Sequence, residues 1–118
     1  MSFFKQFENS ISIDKSDENV FSITPSKDYF VGNTPHGGYL TAIMQKALSL
    51  SMPHQHVINS NTLYLDRTEP KEIMIHVKKI RESRGSSVGQ VTLIQDDKSR
   101  CMMTGICSDF NHMKGVND

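Results

Sequence analysis

Hydrophobic residues recur at two different periods along this 118-residue chain. From Tyr39 they fall at three- and four-residue spacing, as Tyr39, Leu40, Ile43, Met44, Ala47 and Leu48. That is the apolar stripe of an amphipathic helix. Asn33 or Thr34 offers a cap for the first N–H groups, and Pro35 stands at or near the first helical position, where a missing N–H loses no bond. Met52-Pro53 ends the element. Elsewhere the period is two. Residues Phe7 to Ile13, Asn19 to Thr24, His56 to Leu65, Lys71 to Ile80, Ser87 to Gln95 and Arg100 to Phe110 predict six strands, with a polar turn at Asp14 to Glu18. The three later connections, Arg67 to Pro70, Arg81 to Ser86 and Asp96 to Lys98, are short. They predict that the last four strands form an antiparallel meander.

Two strands, a helix and four strands make an α+β chain. A lone helix of four or five turns buries its stripe only by lying across the sheet, so the sheet must curl around it. With no internal repeat and no Pro/Gly-rich linker, residues 1–118 read as a single domain with 111–118 as a loose tail. Several strands are apolar on both faces. Ile73, Ile75 and Val77 alternate with Met74 and Ile80, and Cys101, Met103 and Cys107 alternate with Met102, Ile106 and Phe110. One helix covers one face, so a second chain is expected, as a homodimer.

Composition removes several classes of function. Thirteen basic residues balance thirteen acidic ones, which leaves no bulk field for nucleic acid or anionic lipid. No hydrophobic run exceeds three residues, far short of a signal-peptide core or a membrane span. Cys101 and Cys107 lie six residues apart in one predicted strand, roughly 20 Å at about 3.3 Å per residue, too far to bridge. Two unpaired thiols without CxxC spacing fit a reducing cytoplasm. The neutral total hides an asymmetry: residues 71–100 carry seven basic against four acidic side chains. These are solvated strand faces and turns or an anchor for a small polyanion.

The unusual local chemistry is Pro35-His36-Gly37-Gly38 at the helix start. A glycine in a helix costs about 0.8–1.0 kcal/mol relative to alanine. Two adjacent glycines have two readings. They let an incoming oxygen reach bare first-turn N–H groups at the positive end of the helix dipole, or they let the helix sit close to the sheet. His54, His56, His76 and His112 show no zinc-ligand spacing, so no metal is expected.

The succession Phe30-Val31-Gly32-Asn33-Thr34-Pro35-His36-Gly37-Gly38-Tyr39-Leu40 resembles the helix start of hotdog-fold thioesterases. Ser60 to Pro70, Val77 to Ser87 and Val91 to Gln95 resemble the N-terminal half of the double hotdog acyl-coenzyme A thioesterases. The likeness spans about residues 5 to 110. It implies a single hotdog fold, a six-stranded antiparallel sheet wrapped around one long central helix and paired with a second such unit. In the double enzymes both units share one chain; here a partner subunit must supply the other, as a homodimer or a dimer of dimers. It further implies hydrolysis of an acyl-CoA to free acid and CoA, with no cofactor beyond the CoA of the substrate itself. Gly37 and Gly38 match the carbonyl clamp.

The water-activating position departs from the family pattern. Nine residues beyond His36, where the single-domain enzymes carry a carboxylate, stands Gln45, and Pro35 to Ser51 contains no aspartate or glutamate. A glutamine amide orients a water but accepts no proton. His36, as a base or as a positioner of backbone, and Asn61 or Thr62, holding a water with Gln45 or satisfying buried backbone, are the candidates to compensate. Asn33, Lys79, Arg81, Arg84 and Ser86 are the candidate substrate-binding residues, the basic ones against CoA phosphates. Two alternatives to an enzyme stand beside it: a protein that binds an acyl thioester without cleaving it, and a structural hotdog subunit lacking its catalytic unit.

Overall fold

The computed structural model of the chain describes residues 13–25, 30–31, 34–35, 37–54 and 56–109. The first hairpin pairs β1 (Asp14–Asp17) with β2 (Val20–Ile23), and the turn between them holds Asn19 at a φ of 58°, a left-handed conformation that asparagine tolerates. A two-residue ribbon, β3 (Phe30–Val31) and β4 (Thr34–Pro35), leads into α1 (Gly37–Ser51). Four long strands follow: β5 (His56–Tyr64), β6 (Ile73–Glu82), β7 (Ser86–Gln95) and β8 (Lys98–Ser108).

The helix matches its pattern closely. Tyr39, Leu40, Ile43, Met44, Ala47 and Leu48 are its buried residues, packed on β5, β6, β7 and β8. It ends where expected, with the Met52 N–H donating to the Leu48 carbonyl. Its start differs. Thr34 and Pro35 pair with Val31 and Phe30 as a strand rather than capping the helix. A residue before proline is driven toward extended backbone, which suits Thr34 to a strand. Asn33 lies outside the described residues.

The sheet departs from the expected arrangement in two ways. All its pairings are antiparallel, in the order β1-β2-β6-β7-β8-β5. Only β6, β7 and β8 form a meander; β5 pairs with β8 at the far edge. The chain leaves the helix toward that edge, and residues 65–72 return it across the sheet to β6. Five strands stand where the alternation predicts, whereas the sixth place is held by Asp14–Asp17, read as a turn. Backbone pairing needs no apolar side chain, and a polar strand is well suited to an edge. Of the expected strand Phe7 to Ile13, only Ile13 is described, packed against the core.

Two paired glycines set the depth of the helix. Gly89 of β7 faces Gly105 of β8, and a Cβ on either would collide with a methyl of Leu48, which is fully buried. Bulges between Val57 and Asn59 in β5 and between Lys79 and Arg81 in β6 lie on either side of this pair. A bulge bends its strand and raises local twist, so the two curl the sheet around α1. Ile58, Ile80 and Ile106 remain exposed, so apolar surface persists outside the core, as the two-faced alternation implied. Cys101 and Cys107 are buried free thiols of one strand.

Candidate functional site

The start of α1 opens on a pocket of about 310 Å³, lined by Gly37, Leu40, Tyr64, Asp66, Arg67, Thr68 and Cys101. Its far wall is the 65–72 connection, which is held by backbone and side chains together. The Leu65 and Asp66 N–H groups donate to the Arg100 carbonyl at 2.9 and 3.0 Å. Gln95, buried at the end of β7, accepts from the Glu69 N–H at 2.9 Å and donates to the carbonyls of Glu69 and Lys71 at 2.9 and 3.1 Å. Arg100 donates to Asp66 at 3.3 Å and Asp96 at 3.5 Å. Burial pushes the Cys101 thiol up, against an opposing hydrogen bond from Thr68 at 3.8 Å. The thiol therefore stays protonated and is a wall rather than a nucleophile.

At the mouth of the pocket three residues form a chain of hydrogen bonds. The Tyr64 hydroxyl donates to the Gly37 carbonyl at 3.0 Å and lies 2.9 Å from the Thr41 hydroxyl. A Cβ on Gly37 would stand 3.1 Å from the Tyr64 oxygen. The tight neighbour of Gly37 is thus a side chain at the site rather than the sheet backbone, and a larger residue there would require the Tyr64 hydroxyl to shift by a few tenths of an ångström. Gly38 is exposed at the helix start.

The candidate residues fall into separate groups. Gln45 lies eight residues beyond Gly37, roughly 12 Å along the helix at about 1.5 Å per residue. Its Nε2 donates to Ser60 Oγ of β5 at 3.0 Å. Thr62 and Tyr64 have the same strand parity as Ser60 and share its helix-facing side. Asn61 has the opposite parity, is exposed and pairs with Thr104, so the structure does not bring it to Gln45. His36 and Asn33 lie outside the described residues.

The basic turn stands at the other end of the helix. His54, buried three residues past α1, bonds the Arg84 carbonyl through Nε2 at 3.2 Å and Ser87 Oγ through Nδ1 at 3.0 Å. A carbonyl only accepts, so Nε2 carries the proton given to Arg84. Ser108 Oγ donates to the Gly85 carbonyl at 2.8 Å, and Ser83 Oγ donates to the Ser86 carbonyl at 3.0 Å. The turn is thereby pinned to the C-terminal end of α1, roughly 20 Å from Gly37. Lys79 is paired with Glu82 at 2.8 Å, which holds the Glu82 carboxyl below its ordinary range. Among the described residues Arg81 and Arg84 enter no ion pair. Lys79, Arg81, Arg84 and Ser86 thus lie far from Gly37 and Gly38 within the chain. Among the described residues no group of three His, Cys, Asp or Glu is placed to hold a metal ion.

A family model described as acyl-CoA thioesterase N-terminal domain matches residues 25–108, more than half of the sequence. The chain belongs to this thioesterase family. Solved structures agree on the fold of this thioesterase-family chain. A thioesterase II assignment from Thermobifida fusca YX superposes with a TM-score of 0.85 at 19% identity, over 89% of this chain and 39% of that one. A tesB protein from Mycobacterium avium subs paratuberculosis gives 0.76 at 18%, over 88% and 42%. A mutant of the phenylacetic acid degradation protein PaaI from Thermus thermophilus gives 0.75 at 16%, over 89% and 99%. The fold is therefore the α+β hotdog. The chain spans about two fifths of the first two of these relatives. No curated protein matches the sequence. Among the described residues no helix is long and apolar enough to cross a membrane.

Sequence reasoning missed Tyr64, Thr41 and the residues that hold the pocket wall. Gln95 had a legible signal, since it continues the inward positions Val91 and Leu93 as a polar residue. Tyr64 had none, because an aromatic residue ending a strand is ordinary.

Proposed function

We propose that the chain is an acyl-CoA thioesterase, and that α1 supplies the group that polarises the thioester carbonyl. The observation that carries this reading is the glycine-bearing helix start opening on a largely apolar pocket of about 310 Å³. First-turn N–H groups at Gly37 and Gly38 stabilise the oxyanion as water adds to the carbonyl carbon. The C–S bond then breaks, the acyl carbon keeps the water oxygen, and a proton passes to the departing CoA sulfur. Gln45 orients the water through its amide oxygen, while its nitrogen is held by Ser60.

The working form is a homodimer. Within one protomer Gln45 and the basic turn stand about 12 and 20 Å along the helix from Gly37, so a second, oppositely directed unit is what brings them to one site. Among the described residues β5 is the last strand of its sheet, with β8 on one side, and Leu63, Tyr64 and Leu65 are exposed at its end. Arg81 and Arg84 then face the CoA phosphates of a substrate whose carbonyl lies at the partner's helix start. His36 and Asn33 belong to the same proposal as base or positioner and as substrate contact. Thr62, on the helix-facing side, belongs to it as a water ligand.

A second reading, binding of an acyl-CoA without turnover, is favoured by Gln45 itself, an amide at the position of a carboxylate. Release of free thiol from a panel of acyl-CoA esters, beside binding of the same panel, separates the two. Hydrolysis that is lost in Gln45→Ala supports the enzyme; tight binding without thiol release supports the second reading. Gln45→Glu restores a carboxylate and is expected to raise hydrolysis about a hundredfold or more, the usual contribution of a positioned general base. A variant that folds, binds and is no faster removes Gln45 from the water site.

A further inference from the structure

We infer that Tyr64 is the positioning residue of the helix start, fixing and polarising the peptide group that joins Gly37 to Gly38. The inference rests on the thioesterase reading for its use, but its geometry is independent of it. The Tyr64 hydroxyl donates to the Gly37 carbonyl at 3.0 Å. With that proton committed, the Tyr64 oxygen is the acceptor for the Thr41 hydroxyl at 2.9 Å. The order is thus Thr41 O–H to Tyr64 O–H to Gly37 C=O. A peptide unit is planar, with its C=O and N–H opposed across the C–N bond. Holding the Gly37 oxygen therefore aims the Gly38 N–H.

The same bond strengthens that N–H. A carbonyl that accepts a hydrogen bond draws electron density through the amide, and chains of hydrogen bonds polarise one another. The Gly37 oxygen has two lone pairs, so the Tyr64 bond adds to the helical one from residue 41 rather than replacing it. A β-carbon at position 37 would press on the hydroxyl at 3.1 Å, so the glycine and the tyrosine form one device. Tyr64 reaches it from the last residue of β5, and both Tyr64 and Gly37 line the pocket.

Two measurements test this. In the first, kcat and KM for acyl-CoA hydrolysis are compared across wild type, Tyr64→Phe, Thr41→Val and Thr41→Ser. Tyr64→Phe is expected to lower kcat ten- to a hundredfold with KM within twofold, as for a misaligned transition-state donor. Thr41→Val lowers kcat by roughly threefold and Thr41→Ser rescues it, because its hydroxyl keeps the chain of bonds. In the second, triple-resonance NMR reads the Gly37 carbonyl carbon through the Gly38 amide in the free protein. That resonance is expected to move in Tyr64→Phe, and less in Thr41→Val, while the amides of the C-terminal half of α1 stay in place. If Tyr64→Phe does not fold, Thr41→Val carries the same readout. An unmoved Gly37 carbonyl resonance, or a Tyr64→Phe variant with wild-type kcat, overturns the inference. Wild-type protein that releases no thiol while the Gly37 resonance still moves overturns the thioesterase reading and sustains the positioning.

Discussion

Asp96 shows what single residues contribute outside the pocket. Its carboxylate accepts from Lys71 in a short hydrogen bond and from Arg100 at 3.5 Å, tying the β7–β8 turn to the 65–72 connection. The Lys71 bond holds the Asp96 carboxyl below its ordinary range and raises the Lys71 ammonium above its own. A lowered native carboxyl contributes stability above the unfolded value, near 3.9, and loses it as pH falls through the native value. The raised lysine contributes below its unfolded value and loses it as pH rises through the native one. Asp96→Asn is therefore expected to be less stable than wild type from pH 5 to 7 and to converge on it toward pH 2, read as urea midpoints along the series. An unchanged difference at pH 2 would show that the carboxylate charge is not the cause. Sequence flagged the glycine pair because glycine is costly in a helix, and Gln45 because it stands where the resemblance implies a carboxylate. It was silent on the bonds of Asp96 to Lys71 and of Tyr64 to Gly37 and Thr41, which join residues more than twenty apart and leave no local pattern.

Elements were more legible than their neighbours in space. The six inward positions of α1 followed directly from the 3.6-residue period. Alternation located β6, β7 and β8 within a few residues, yet it says nothing about which strand lies beside which, so β5 was placed next to β6 instead of β8. Gly89 and Gly105 likewise had no meaning until their pairing put both beneath Leu48. That contact yields a prediction at this scale. Gly105→Ala drives a methyl into Leu48, which cannot retreat because Gly89 seats its other methyl, so the variant should lose about 1–3 kcal/mol by denaturant unfolding. Pairing it with Leu48→Ala removes the collision, and the double variant should lose less than the sum of the single losses. Simple additivity would contradict the wedge.

At the scale of the molecule, the fold is one hotdog unit whose edge strand β5 has a single neighbour, β8, among the described residues and ends in exposed apolar residues. Sedimentation equilibrium at micromolar concentration should return twice the 13.3 kDa of the chain; a mass of 13.3 kDa would end the dimer proposal. The sheet order also bears on time. Lys78 pairs with Gln90 and Gln90 with Thr104 across tight turns, whereas Thr104 meets Asn61 only after roughly forty residues of chain have been drawn back. Closing that larger loop costs about 1 kcal/mol more than closing either hairpin. In a dilute, monomeric sample amide exchange should therefore run faster along β5 than along β7; equal protection in the two strands would refute this. An edge that would serve to join two chains is then held less firmly within one chain than the strands at the centre of the sheet.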